Sequence, residues 1–177
     1  MTVSDETIIG AIEKNPEQGF RLFMREYKEP VYWHIRRLVV SHADAQDASQ
    51  NAFVRVFRSF KQFNRGNSFK AWVYKIATNE ALRILNRSKD MMSLEQEGAT
   101  VMQLRSDEYI DYTRVEAVLL QQAILSLPPK QQLAFNMRYY DDMSYEQIAE
   151  ATDSTVAGVK MNYHLAKDKI VKYMKSK

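Results

Sequence analysis

The chain has 177 residues, of which 45% are hydrophobic and 27% charged, with a formal net charge of +3. That balance belongs to a globular protein of one domain or two small ones. No apolar run approaches the ~20 residues that span a bilayer, no basic stretch followed by an apolar one marks secretion, and the lack of cysteine excludes a disulfide framework or a thiolate metal site. The expected location is cytoplasmic.

Taken in chain order, the periodicity is helical almost throughout. Asn15-Pro16 reads as a helix cap followed by a first-turn proline, and Phe20, Phe23, Met24, Tyr27, Val31, Ile35 and Leu38 then mark one face. A second helix is expected from about Ala43 to Phe60, with Phe53, Val56, Phe57 and Phe60 spaced i, i+3, i+4, i+7. The sequence FNRGNS (63–68) breaks this pattern as a loop. The next helix, from about Phe69 to Arg87, shows Phe69, Trp72, Val73 and Ile76, then Ile84 and Leu85. Trp72 reads as core at that spacing, with a stacking platform as its other possible role.

From 88 to 112 the sequence is acidic and without sustained periodicity, and reads as a linker. Periodicity resumes near Arg114, with Leu120, Ala123, Ile124 and Leu127 ahead of Pro128-Pro129. Pro129 suits the first turn of a helix carrying Phe135, Met137 and Tyr140, and Asp141-Asp142 form the following turn. Ser144 and Gln147 fit a capping box, so a short helix is expected from Tyr145 to about Ala151. Thr152-Asp153-Ser154 makes a turn and Thr155 caps a last helix. On that helix Val156, Val159, Tyr163 and Ala166 face the core, while Ala157, Gly158, Lys160, Met161, His164 and Lys167 face outward. This is the layout of a helix-turn-helix, in which small residues early in the second helix permit close approach to the major groove. A plain helical hairpin has the same pattern. The expected architecture is all-α: residues 1–87, the linker 88–112, and residues 113–177.

Charge is concentrated. Between 53 and 87 stand eight cations (Arg55, Arg58, Lys61, Arg65, Lys70, Lys75, Arg83, Arg87) against Glu80, and the last eighteen residues hold six lysines against Asp168. Two separated basic stretches suit two contacts with a polyanion, and solvated helix faces give the same composition. The three histidines, His34, His42 and His164, are spread over three segments. With no nucleophile, phosphate loop or metal spacing beside them, they read as surface or interface residues. Neither catalysis nor a cofactor is expected.

The run LPPKQQLAFNMRYYDDMSYEQIAEATDSTVAGVK resembles the C-terminal domain, region 4, of bacterial sigma factors of the extracytoplasmic-function class. DAQDASQNAFVRVFRSF (44–60) resembles region 2.2 of that family, and FNRGNSFKAWVYKIATNEALRILNR (63–87) its regions 2.3 and 2.4. The resemblance covers about 150 of the 177 residues, in the family's order. It implies an alternative sigma factor that binds core RNA polymerase and directs promoter recognition, DNA opening and initiation. A stand-alone helix-turn-helix regulator accounts for 128–167 only.

Carried over by resemblance, Phe63, Asn64, Arg65, Gly66, Asn67 and Ser68 form the loop that captures a minus-ten base, and Asn79 bonds the base edge. Lys70, Lys75, Arg83 and Arg87 hold phosphates, which gives affinity rather than sequence reading. Thr155, Ala157, Gly158, Lys160, Met161, Asn162, His164 and Lys167 face the minus-thirty-five element. Asp44, Asp47, Gln50 and Asn51 form the exposed face that docks on the clamp helices of the polymerase largest subunit, with Phe53 and Phe57 inward; region 4 meets the flap. An anti-sigma factor is the further partner implied, and no insertion into a membrane. Two departures stand out. Asn51 replaces the family's usual glutamate, and Met161-Asn162 replaces its Ser-Arg, so an altered minus-thirty-five preference is expected.

Overall fold

The computed structural model describes residues 2–91 and 114–177. The chain divides into two compact units, Met1–Leu85 and Asn86–Lys177. Among the described residues there are eight α-helices, one 3-10 turn and no strand, so the all-α expectation holds.

The first unit opens with α1 (Asp5–Lys14), a helix the periodicity reading did not find. The Ser4 hydroxyl accepts the Thr7 N–H at 3.2 Å, and Ile8, Ile9 and Ile12 are buried. The chain turns at Asn15, whose side chain accepts the Gln18 N–H at 3.3 Å, and Pro16 starts α2 (Pro16–Val39) as expected. Gly19 is needed where the two helices meet. A Cβ there would lie 2.2 Å from the Ile12 nitrogen, so only glycine lets α1 lie backbone to backbone against α2.

Helix α3 (His42–Ser59) is capped by Ser41 and buries small residues, Ala45, Ala48, Ala52 and Val56. The 3-10 turn Phe60–Gln62 leads into the 63–68 loop, and α4 runs Phe69–Met91. Phe69, 3% exposed, holds these pieces together. Its ring lies 6.0 Å from Phe23, 5.8 Å from Tyr27, 6.4 Å from Phe60, 5.3 Å from Phe63 and 5.9 Å from Trp72. One ring therefore ties α2, the end of α3, the loop and α4.

Three expectations need correction. His34 is wholly buried rather than at a surface, because it shares the face of Val31, Ile35 and Leu38; its Nε2 lies 2.8 Å from the Thr78 hydroxyl of α4. Phe57 points outward, 53% exposed, since the buried stripe of α3 passes through Val56 one residue earlier. The helix expected to stop at Arg87 continues to Met91, with no glycine or proline there to end it. The rest of the linker, from 92, lies outside the described residues.

The second unit comprises α5 (Val115–Leu125), α6 (Pro129–Tyr139), α7 (Tyr145–Thr152) and α8 (Val156–Lys175). Ala123, Ile124, Leu127, Phe135, Ala166 and Ile170 form one cluster in its core. Pro129 occupies the first turn of α6, as expected.

Tyr27 gives the first unit a pH dependence. It is 7% exposed, and its hydroxyl donates to the Asp5 carboxylate of α1 at 2.6 Å. Burial first, and then that carboxylate, push the phenol well above its ordinary range. Above pH ~10 unfolded tyrosine ionises while folded Tyr27 keeps its proton, so the unfolded state binds fewer protons and stability falls as pH rises. The expected decline is about 1.4 kcal/mol per pH unit from this group. Urea denaturation at stepped alkaline pH should show that component missing in Tyr27→Phe; a slope equal to that of the wild type would mean the phenol ionises normally.

Candidate nucleic-acid interface

The 63–68 loop is shaped by its own polar groups. Asn64 Oδ1 accepts the Gly66 N–H at 2.9 Å, and the Asn67 N–H donates to the Asn64 carbonyl at 2.9 Å. The Ser68 hydroxyl accepts the Ala71 N–H at 3.2 Å and so caps α4. Phe63 is half-buried, 5.3 Å from Trp72, which is itself half-buried and stacks on Phe69. Trp72 thus serves as packing for the loop, in keeping with its core reading. Asn64, Arg65, Gly66 and Asn67 are exposed. Arg65 reaches back to α1, where its Nε and Nη2 donate to the two Glu13 oxygens at 3.0 and 2.6 Å.

On α4, Lys75, Asn79, Arg83 and Arg87 follow one another at four-residue intervals and form a single slowly turning stripe. Asn79 is exposed, two turns on from Trp72 and so about 10 Å along the axis. Lys70 does not join this stripe. It sits across the helix, half-buried, with its ammonium 5.8 Å from the Tyr74 ring centre.

The sequence reading passed over Arg55. Glu80, the lone acid of the basic stretch, has a side chain only 2% exposed. Its carboxylate is clasped by the Arg55 guanidinium of α3 and, at 3.4 Å, by Arg83. Both arginines remain about half exposed. The pairing holds the Arg55 guanidinium of α3 beside the α4 stripe and fixes Arg83 within it. The clue in the sequence was a single acid among eight cations.

On α3, Asp47, Gln50 and Asn51 are exposed and Asp44 is half-buried. Val54 and Phe57 continue the same face toward the loop, 47% and 53% exposed. Phe53 is half-buried, its ring edge-on to Phe23 at 6.1 Å.

The second unit contains the expected helical pair. Ser144 and Gln147 cap α7 reciprocally at 3.0 and 3.1 Å. Asp153 takes a left-handed conformation (φ 51°) in the turn, and Thr155 Oγ1 accepts the Gly158 N–H at 3.0 Å to start α8. Thr155, Ala157, Lys160, Met161, His164 and Lys167 are exposed, and Met161, 65% exposed, stands central among them. Gly158 and Asn162 are half-buried. Asn162 flanks the core side of α8, beside Val159 and Ala166, and so lies off the outward face. A Cβ at Gly158 would meet only the Thr155 hydroxyl, at 3.0 Å, and otherwise face open space.

Helix α6 adds a cation beside the outward face of α8. The Arg138 guanidinium lies 4.7 Å over the Tyr145 ring and donates to the Met143 carbonyl at 3.0 Å. Lys160 lies 5.7 Å from the same ring, and Lys167 5.4 Å from that of Tyr163. Two adjoining rings, 6.0 Å apart, thus carry three cations along the edge of the helical pair. An arginine held over an aromatic face loses little freedom on meeting a phosphate. No group of acids and histidines among the described residues could hold a metal ion, and no helix among them is long and apolar enough to cross a membrane.

The matches to known families fall on both units. The model of sigma-70 region 2 matches residues 23–90 and that of sigma-70 region 4 matches residues 117–170, together more than half of the chain. The sigma-E factor of Escherichia coli K12, of the extracytoplasmic-function class, is 26% identical over 95% of this chain and 93% of its own. SigW of Bacillus subtilis 168, of the same class, is 27% identical over 94% and 95%. Among solved structures, CnrH in complex with the cytosolic domain of CnrY has the same fold, with a TM-score of 0.74 at 16% identity over 97% of both chains. The sigma factor RpoE of Bartonella quintana, bound to the anti-sigma factor NepR, aligns with a TM-score of 0.69 at 16% identity, over 88% of this chain and 96% of its own.

The Arg138 placement makes a direct test. Arg138→Met is expected to weaken binding to duplex DNA equally for all sequences and to lower the salt slope of log K by about one. A titration at several salt concentrations that leaves the slope unchanged would remove Arg138 from the interface.

Proposed function

The chain belongs to the sigma-70 family, in its extracytoplasmic-function class, and on that premise we propose how its residues divide the work. It is an alternative sigma factor that binds core RNA polymerase and directs promoter recognition, DNA opening and transcription initiation. The observation that carries this is the matching of both family regions, in order, to the two helical units. A stand-alone helix-turn-helix regulator is not favoured, because it leaves the first unit without a role.

In our reading, residues 1–87 engage polymerase and the minus-ten element, 88–112 are the tether, and 113–177 engage the minus-thirty-five element. The polymerase face is Asp44, Asp47, Gln50 and Asn51, to which the exposed Val54 and Phe57 add apolar area. An unstacked minus-ten base is taken at the loop and the α4 stripe, where Phe63 supplies a ring and Asn79 an amide. Arg83 and Arg87 meet phosphates, with Arg55 added to them. Lys70 is the weakest member of this group because of its place across the helix. At the second unit, Thr155, Ala157, Lys160 and Met161 reach into the major groove, and Arg138, Lys160 and Lys167 hold the backbone. Catalysis has no part in this reading. An anti-sigma protein is inferred as a further partner, supported by the NepR complex of the Bartonella factor.

Transcription in vitro with purified core polymerase on a genomic DNA library tests the function. The chain is expected to start transcripts at a small set of promoters; failure to start any, with inhibitors removed, would reject it. Promoter preference tests Met161. Because Met161 is central and Asn162 half-buried, Met161→Ser is expected to account for most of the change seen in the Ser-Arg double exchange. The shift at one minus-thirty-five position should be about fourfold, the worth of one methylene group at ~0.8 kcal/mol. A randomised promoter library read with each variant measures this, and identical preferences for wild type and double variant would sink the assignment.

A further inference from the structure

Met161 stands 65% exposed at the centre of the outward face of α8. We infer that it is an oxidation site: hydrogen peroxide converts its thioether to the sulfoxide and so changes which minus-thirty-five sequence the chain reads. The inference rests on the sigma-factor reading and adds a means of regulation to it.

The exposure of Met161 has a local cause. A long side chain on a helix leans back over the turn before its own, and in that turn stand Ala157 and Gly158. Ala157 is itself exposed and carries one methyl group. Gly158 carries none, and the place of its Cβ has only the Thr155 hydroxyl nearby. No bulky group of that turn therefore covers the sulfur. The other methionines whose side chains are described are better protected. Met137 and Met143 are wholly buried, and Met24 and Met174 are half-buried. The chain has no cysteine, so no thiolate of its own competes for the oxidant. Susceptibility to a peroxide follows exposure of the sulfur, which singles out the one methionine that faces DNA.

The chemistry needs the peroxide and nothing else. The sulfur lone pair attacks one peroxide oxygen, an S–O bond forms and the O–O bond breaks. The proton of the attacked oxygen passes to the leaving one, which departs as water. Sulfur gives up two electrons and the peroxide is reduced. A sulfoxide reductase supplied with a dithiol reverses the change and yields the thioether, water and a disulfide.

The effect falls on base reading. A thioether is apolar and suits a thymine methyl, whereas a sulfoxide oxygen is a strong acceptor that suits the amino group of adenine or cytosine. Set against the methyl, that oxygen is buried without a donor, which corresponds to a loss of about tenfold. Preference at that position then turns from thymine towards adenine or cytosine. The fold is spared, because α8 packs through Val159, Ala166 and Ile170, all buried, and Met161 points away from them.

The test treats the complete chain with hydrogen peroxide, removes the oxidant with catalase, and only then adds core polymerase and a randomised minus-thirty-five library. Peptide mass spectrometry is expected to find the sulfoxide at Met161 well ahead of Met137 and Met143, with the melting temperature of the chain unchanged. Transcripts from the promoters preferred by the untreated chain should fall about tenfold relative to those with adenine or cytosine at one position. Sulfoxide reductases with dithiothreitol should restore the first pattern. Met161→Leu has its own preference, which should be the same before and after peroxide, and Met161→Gln should show the oxidised preference without it. Oxidation of Met161 no faster than of Met137 and Met143 would overturn the proposal. So would a preference that peroxide leaves unchanged in the wild type, or one that it shifts equally in Met161→Leu, since another methionine is then responsible. Untreated wild type that starts no transcript would instead reject the sigma-factor reading itself.

Discussion

The contact on which the first unit depends is that of the Phe69 ring with its neighbours. Phe69 is the first residue of α4 and directly follows the loop, and its ring meets Phe63 at the other end of that loop at 5.3 Å. The loop is therefore closed by two aromatic rings, and the polar residues between them are held at the surface without needing to fill a core. Contacts of Phe69 with Phe23 and Tyr27 anchor the closure to α2. Each aromatic pair of this kind adds on the order of 1 kcal/mol beyond burial, so the loop stands on a shared base worth several such pairs. An exposed, polar segment placed this way can meet an unstacked base without first being ordered.

Electrostatics in both units follow one pattern, in which cations are positioned by a specific partner. Glu13 holds Arg65, Glu80 holds Arg55 and Arg83, and Tyr145 lies beneath Arg138 and Lys160. The partners differ in kind. Glu80 is buried and its removal would strand two guanidinium groups, whereas Glu13 is exposed and gives way easily. Tyr145 carries no carboxylate, so it positions Arg138 and Lys160 through its ring face and not through an ion pair. The basic stretch is thus less a diffuse positive field than a set of guanidinium groups with fixed aim.

What could be read from sequence was local. The Asn15-Pro16 start, the Ser144–Gln147 box and the Thr155 cap each depend on residues within four positions, and all three stand as expected. The misses depend on separation in the chain. Arg65 meets Glu13 across 52 residues, and no spacing rule joins them. Arg55 and Glu80 meet across two helices for the same reason. Phe57 misled because it satisfies the i, i+4 pattern with Phe53, yet α3 buries small residues along Ala45, Ala48, Ala52 and Val56. When a helix packs closely through alanines, its largest side chains lie at the margin of the contact. Helix α1 was missed because its signal is three isoleucines within five positions, too short for a periodicity argument, and its place is set by Gly19 rather than by its own sequence.

Gly19 also explains why α1 belongs to the candidate site at all. With a side chain at that position the Ile12 backbone could not approach, and α1 would have to stand off from α2. Glu13 follows Ile12 directly, so the same displacement would carry its carboxylate away from Arg65. A backbone contact at one glycine thereby sets the position of a charge beside the loop. Gly158 plays a different part in α8, where a Cβ would meet only the Thr155 hydroxyl, at 3.0 Å, and the cost of glycine in a helix, ~1 kcal/mol, leaves the first turn bare. The first glycine brings two parts of this chain together, and the second leaves room for something that is not part of it.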